Sequence, residues 1–204
     1  MPHSDNSFDQ PSRLQRVQPP IIPQIHRLIT ENPGTISLGQ GVVGYPPPSS
    51  VRDAVEQFLA NPENHKYASV YGIPSLREKI AAKLLHENGI TIDNENELVV
   101  TAGGNMAFVN ALLAICDEGD EVILMSPYYF NHEMAVTMAG CLPVVVNTDQ
   151  HFQIDVDAVA SAITDNTRAV VTISPNNPSG AVYPEEDLCK LNRLCAEQGV
   201  FHIH

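Results

Sequence analysis

Several short stretches of this 204-residue chain set glycine, amide or aromatic side chains where a strand gives way to a helix. In VVTAGGNMAF, Gly103 and Gly104 remove side chains at the turn and Asn105 opens the helix. Free N–H groups and the positive end of the helix dipole then converge on one spot, which suits a phosphate. A tight turn that needs glycine for backbone reasons alone accounts for the same residues. No Gly-Lys-Ser/Thr follows, so this is not a nucleotide-binding P-loop. In LMSPYYFNHEM, Tyr128 and Tyr129 offer a flat surface for an aromatic ligand, or cap the core. In SPNNPSGAVYP, Pro175 and Pro178 fix the backbone around Asn176 and Asn177, and Gly180 allows a turn. An amide held in one orientation offers both a donor and an acceptor, although a plain Asx-type turn needs no ligand.

Two further patterns carry less. GQGVVG has the spacing of a dinucleotide fingerprint at Gly39, Gly41 and Gly44, but Pro46, Pro47 and Pro48 follow where the helix N-terminus should meet a pyrophosphate. His202 and His204 in FHIH point to one side of a strand as two metal ligands do, without an evident third ligand.

The elements that must hold these residues alternate. Residues 1–19 read as a flexible polar arm, and PPIIPQIHRLITENPG as an amphipathic helix stopped by Pro33-Gly34. TISLGQG is a short strand or extended piece. SVRDAVEQFLA is a helix with Ser49 or Ser50 as N-cap. YGIPSLREKIAAKLLHENGI is a helix with Pro74 in its first turn, Leu76, Ile80 and Leu84 on one face and Gly89 at its end. Strands are then expected at ELVVTAGG, EVILMS, LPVVVN, RAVVTIS and VFHIH, with a helix between each consecutive pair. Short apolar strands separated by helices define an α/β fold with a mainly parallel sheet covered by helices on both faces.

Composition narrows the function classes. The hydrophobic share of 43% supports a sizeable core. A net charge of −13, without a basic patch, argues against nucleic acid and anionic membrane surfaces as partners. Cys116, Cys141, Cys189 and Cys195 form no C-x-x-C pair and are expected to be buried, inert thiols of a reducing compartment. No signal pattern and no membrane-length apolar run is present, so a cytoplasmic location is expected.

From about residue 20 onward, ISLGQGVVGYPPP, YASVYGIPSLREKIA, the run from VVTAGGNMAF to VTMAG, and ISPNNPSGAVY together resemble the class I/II aminotransferases, pyridoxal-phosphate enzymes of fold type I. The resemblance implies a domain division, with residues 1–48 contributing to a small domain and 49–204 forming part of the large cofactor-binding domain. It implies pyridoxal 5'-phosphate as cofactor, with its phosphate at Gly103, Gly104 and Asn105 and its ring against Tyr129. Asn177 then donates to the phenolic oxygen, and the Gly41 N–H meets a substrate carboxylate. His132 supports the aspartate beneath the ring nitrogen. Tyr67 reaches the phosphate of a neighbouring subunit, which implies a homodimer acting on an amino acid and a 2-oxo acid.

The chain departs from the family at Val42-Val43-Gly44-Tyr45, where many relatives carry a Pro-Asp-type sequence, and at Ser179, where threonine is frequent. The aspartate and the cofactor-bearing lysine of the family are expected beyond His204. No catalytic residue is therefore assigned, and Lys66, Lys79, Lys83 and Lys190 do not match the lysine's setting. An N-terminal portion, inactive alone and poorly soluble through an apolar sheet edge, is the expectation. A cofactor-dependent lyase, an aminocyclopropane-carboxylate-synthase-like enzyme and a non-catalytic aminotransferase-derived binding domain share the same motifs.

Overall fold

The computed structural model describes residues 15–39, 41 and 43–204. Most of the expected arm, together with Gln40 and Val42, lies outside the described residues. The chain forms two compact units, Pro20–Thr101 and Ala102–His204, the second together with residues 15–19.

In Pro20–Thr101, α1 (Ile21–Glu31), α2 (Ser49–Ala60) and α3 (Pro74–Asn88) fall where periodicity places them, and a 3-10 turn (Pro62–His65) not expected from sequence follows α2. Gly89 ends α3 at φ 67° in the left-handed region, accepting no Cβ penalty there. Three local expectations change. Pro48, not a serine, precedes α2; its carbonyl accepts the Val51 N–H at 3.0 Å, and its restricted φ of −53° leads the chain into the helix without a hydroxyl cap. The only buried residue of α3 is Arg77, while Leu76 stays exposed, because an amphipathic stripe names a face but not what covers it. Residues 98–101 form neither helix nor strand, although a strand is expected there. Strand-forming composition describes a surface and still needs a neighbour. That segment instead ties to a turn: Val100 N–H donates to Tyr71 C=O at 2.9 Å. A Cβ on Gly72, at φ 108°, would stand 2.7 Å from Val100 Cγ2, so only glycine fits this approach.

Ala102–His204 is built on a four-stranded, wholly parallel sheet. After α4 (Gly104–Ile115) come β1 (Glu121–Ser126), α5 (Phe130–Met138), β2 (Leu142–Asn147), α6 (Val156–Ala162), β3 (Thr167–Val171), α7 (Glu185–Gln198) and β4 (Phe201–Ile203). The strand order is β2-β1-β3-β4. β1 sends the chain to β2 on one side, and β2 returns it past β1 to β3 on the other. Right-handed crossovers therefore place α5 on one face and α6 and α7 on the opposite face.

The two cores show this division. Val122, Leu124, Ala169 and Val171 pack with Phe108 and Leu112 of α4 and Ala135 and Val136 of α5. The alternate strand residues Ile123, Met125, Val146 and Val170 pack with Val159 of α6 and Leu191 and Cys195 of α7. Period-two alternation thus feeds two cores from one sheet. Cys141 and Cys195 are buried as expected, but Cys189 is exposed on α7, where it faces away from the sheet's core; none of the four is in a disulfide.

Candidate functional site

Connections leave β1 and β3 in opposite directions, so a crevice opens between their carboxyl ends. An open cleft of about 970 Å³ lies there, large enough for a cofactor-sized ligand. Gly104, Asn105, Tyr129, His132 and Asn177, each chosen from sequence, line it.

The first wall is the start of α4. Gly103 is its N-cap at φ 91°, a backbone state that only glycine adopts without strain, so the helix begins at Gly104 and Asn105 falls in its first turn. Gly104 has no such backbone need: its φ is not positive, and a Cβ there would meet no heavy atom within 4 Å. The backbone explanation accounts for the first glycine and leaves the second as open space beside free helix N–H groups. Among the described residues lining the cleft there is no aspartate, glutamate, lysine or arginine side chain, so the side chains of the wall do not share the chain's net negative charge. These features fit an anionic group such as a phosphate.

The second wall follows β1. Tyr129 is the N-cap of α5, and its hydroxyl accepts a hydrogen bond from Asn131 Nδ2. His132, in the first turn of α5, stacks on Phe108 at a centroid distance of 3.9 Å and meets Tyr129 edge-on at 5.3 Å. Burial pushes the His132 imidazole down from its ordinary 6.5 to about 4, so it is neutral at physiological pH. A neutral imidazole keeps one donor and one acceptor nitrogen.

The third wall follows β3, where the two asparagines separate. Asn176 is buried, and its Oδ1 accepts from Ser179 N–H at 3.1 Å and from Ser179 Oγ at 2.7 Å. Its backbone closes the turn through bonds with Gly180 N–H and Ala181 C=O. Asn176 is thus consumed as the Asx-type turn, and the exposed Asn177 is left to face the cleft. Ser179 keeps its hydroxyl at work inside this turn.

Gly41 and Tyr67 belong to the Pro20–Thr101 unit, where both are exposed. In the proline-containing stretch after GQGVVG no helix begins before Ser49. Phe108, Thr172, Ser174 and His204 also line the cleft and were not singled out for it by sequence. Phe108 sits one helical turn beyond Asn105, and Thr172 directly follows β3, so helical spacing and the strand-end rule are the signals that reach them. His202 and His204 do share one side, but each turns a ring nitrogen to Thr172 Oγ1, at 2.9 and 2.8 Å. Among the described residues no group of three His, Cys, Asp or Glu side chains could hold a metal ion. No helix among them is long and apolar enough to cross a membrane.

Parallel strands, helices on both faces and a cleft at the reversal of strand order define an α/β domain with its ligand site at the topological switch point. The chain belongs to the aminotransferase class I and II family, whose model matches residues 33–204; its members are pyridoxal-phosphate-dependent transferases. It is 42% identical to the aspartate/prephenate aminotransferase of Thermus thermophilus, over 82% of this chain and 44% of that protein. It is 34% identical to an aromatic aminotransferase of Arabidopsis thaliana, over 90% of this chain and 47% of that one. The solved structure of Thermus thermophilus aspartate aminotransferase with maleate superimposes with a TM-score of 0.86 at 37% identity, covering 96% of this chain and 52% of the other. The chain spans about half the length of the curated relatives it matches.

Proposed function

We propose that the chain carries the cofactor-phosphate and ring-facing half of a pyridoxal-phosphate-dependent aminotransferase site, in an enzyme that moves an amino group from an amino acid to a 2-oxo acid. The observation that carries this reading is Gly104, a glycine with no backbone reason, opening a helix N-terminus into a cleft that Tyr129, His132 and Asn177 also line. Pyridoxal phosphate, when bound, supplies the electron sink for charge left on the substrate α-carbon. The turn at Gly103 would aim the N–H groups of Gly104 and Asn105 at the phosphate, and Tyr129, oriented by Asn131, would present its ring face. The Asn177 amide would donate to the phenolic oxygen. The neutral His132 would brace the carboxylate beneath the ring nitrogen without adding a competing positive charge. The names of the relatives, aspartate/prephenate and aromatic aminotransferases, favour a dicarboxylic or aromatic substrate pair.

The same reading gives residues 1–48 to a small domain and 49–204 to the large one. Gly41 would bind a substrate carboxylate. Tyr67, whose ring is fully exposed, would reach the phosphate of a second copy in a homodimer in the cytoplasm. Transfer needs a lysine at the cofactor, and none lines the cleft; Lys66, Lys83 and Lys190 are instead held in surface ion pairs at 2.7, 2.7 and 2.8 Å. The chain alone is therefore expected to bind pyridoxal phosphate reversibly and not to transaminate. Titration followed by absorbance, then borohydride reduction, tests both statements. Saturable binding without a pyridoxyl-lysine is expected; a stoichiometric pyridoxyl-lysine with turnover of an amino donor overturns the second.

A further inference from the structure

We propose that Asn192, His202 and Thr172 form a one-directional hydrogen-bond chain that fixes His204 as an Nε2–H donor at the cleft wall, aimed at an acceptor oxygen of the bound ligand. Thr172 is the pivot: it directly follows β3, is 3% exposed, and is pinned by its own N–H to Ile203 C=O at 2.9 Å. Its hydroxyl lies 2.9 Å from His202 Nε2 and 2.8 Å from His204 Nδ1. One hydroxyl carries one proton, so it can donate to only one of the two imidazoles and must accept from the other or leave it unpaired.

Asn192 on α7 sets the direction. Its Nδ2 lies 3.3 Å from His202 Nδ1, and an amide nitrogen only donates, so His202 Nδ1 is the acceptor. A neutral imidazole then carries its proton on Nε2 and donates it to Thr172 Oγ1. Thr172 in turn donates to His204 Nδ1, and His204 is left with its proton on Nε2. Burial, and next the neighbouring His204, lower the tendency of His202 to take up a second proton, which favours the neutral form of His202. His202 and His204 both border an outer groove with Asn192, whereas Thr172 and His204 border the cleft, so the chain crosses the β3–β4 edge between the two. Thr172 and His202 are positioning residues here, and His204 alone meets the ligand.

The ligand-facing part rests on the proposed pyridoxal phosphate site; the tautomer part does not. Long-range proton–nitrogen correlation spectra of the ¹⁵N-labelled 204-residue chain read the protonated nitrogen of each imidazole. Protons on Nε2 of both His202 and His204 are expected, with His204 Nδ1 shifted as a hydrogen-bond acceptor. In Thr172→Val that Nδ1 resonance should return towards the position of a free imidazole. In Asn192→Ala, an exposed change that spares the fold, His202 should become a mixture of tautomers. Adding pyridoxal phosphate should move the His204 Nε2 resonance, and Thr172→Val should weaken its affinity about two- to tenfold, the worth of one hydrogen bond. A proton on His204 Nδ1 in the unchanged protein overturns the inference. So does an unmoved His204 resonance under bound pyridoxal phosphate. Failure of pyridoxal phosphate to bind at all instead sinks the functional reading, and the tautomers then decide this inference by themselves.

Discussion

Asn176 and Asn177 are adjacent and chemically identical, yet the fold gives them opposite tasks. Asn176→Ala removes the acceptor for two donors of Ser179 inside a buried turn and should cost about 1–3 kcal/mol, measured by denaturant unfolding. Asn177→Ala should leave stability within about 0.5 kcal/mol and weaken pyridoxal phosphate binding about tenfold in an absorbance titration. The two glycines divide in the same manner. Gly103→Ala forces an L-residue to φ 91° and should destabilise by about 1 kcal/mol or more. Gly104→Ala should fold normally and lose phosphate affinity, because its Cβ fills the cradle rather than the backbone. Only the family resemblance distinguishes Asn177 from Asn176; in SPNNPSG by itself the two amides are equivalent. What separates them is burial against Ser179 and the turn, and burial at a single position is not encoded by local spacing.

At the scale of elements, helix and strand positions in Ala102–His204 followed from periodicity, since 3.6- and 2-residue repeats are local properties of the chain. Residues 98–101 show the limit: Leu98, Val99 and Val100 have strand-forming composition, but pairing depends on a neighbour that the segment's own composition does not name. Face assignment is more legible, because crossover handedness turns strand order into a statement about which helix lies where. Leu112 of α4 and Leu191 of α7, both fully buried on opposite faces of the sheet, test it. Each changed to Ala should cost about 2–5 kcal/mol in unfolding experiments, with the two effects nearly additive because no side chain is shared between their cores. The α5 residue His132 adds a pH dependence. Its folded pKa of about 4 lies below the ordinary 6.5, so the unfolded chain binds its proton first. The stabilisation is complete above about pH 6.5 and is lost as pH falls towards 4. Thermal melts of His132→Phe, which keeps the stack on Phe108, should show a flatter profile across that window.

For the whole molecule, the net charge of −13 and a cleft lined by no aspartate or glutamate side chain pull in different directions. A phosphate ligand is repelled at long range and held at short range, so screening of the long-range field should speed association. Stopped-flow association of pyridoxal phosphate should therefore become faster between low and moderate salt, opposite to a basic binding surface. The order β2-β1-β3-β4 has a further consequence, for the sequence of events in folding. Glu121 pairs with Leu142 through a short excursion, but meets Thr167 only across a separation of 46 residues. Closing the longer loop costs more chain entropy, so the β1–β2 pair is placed to form ahead of the β1–β3 pair. The cleft is walled by Tyr129 and His132 after β1 and by Val171 to Ser174 at the end of β3, so it exists only once that second seam has closed. A ligand held there meets the chain after the rate-limiting ordering is over, and so should lengthen the lifetime of the folded state while leaving the speed of reaching it unchanged.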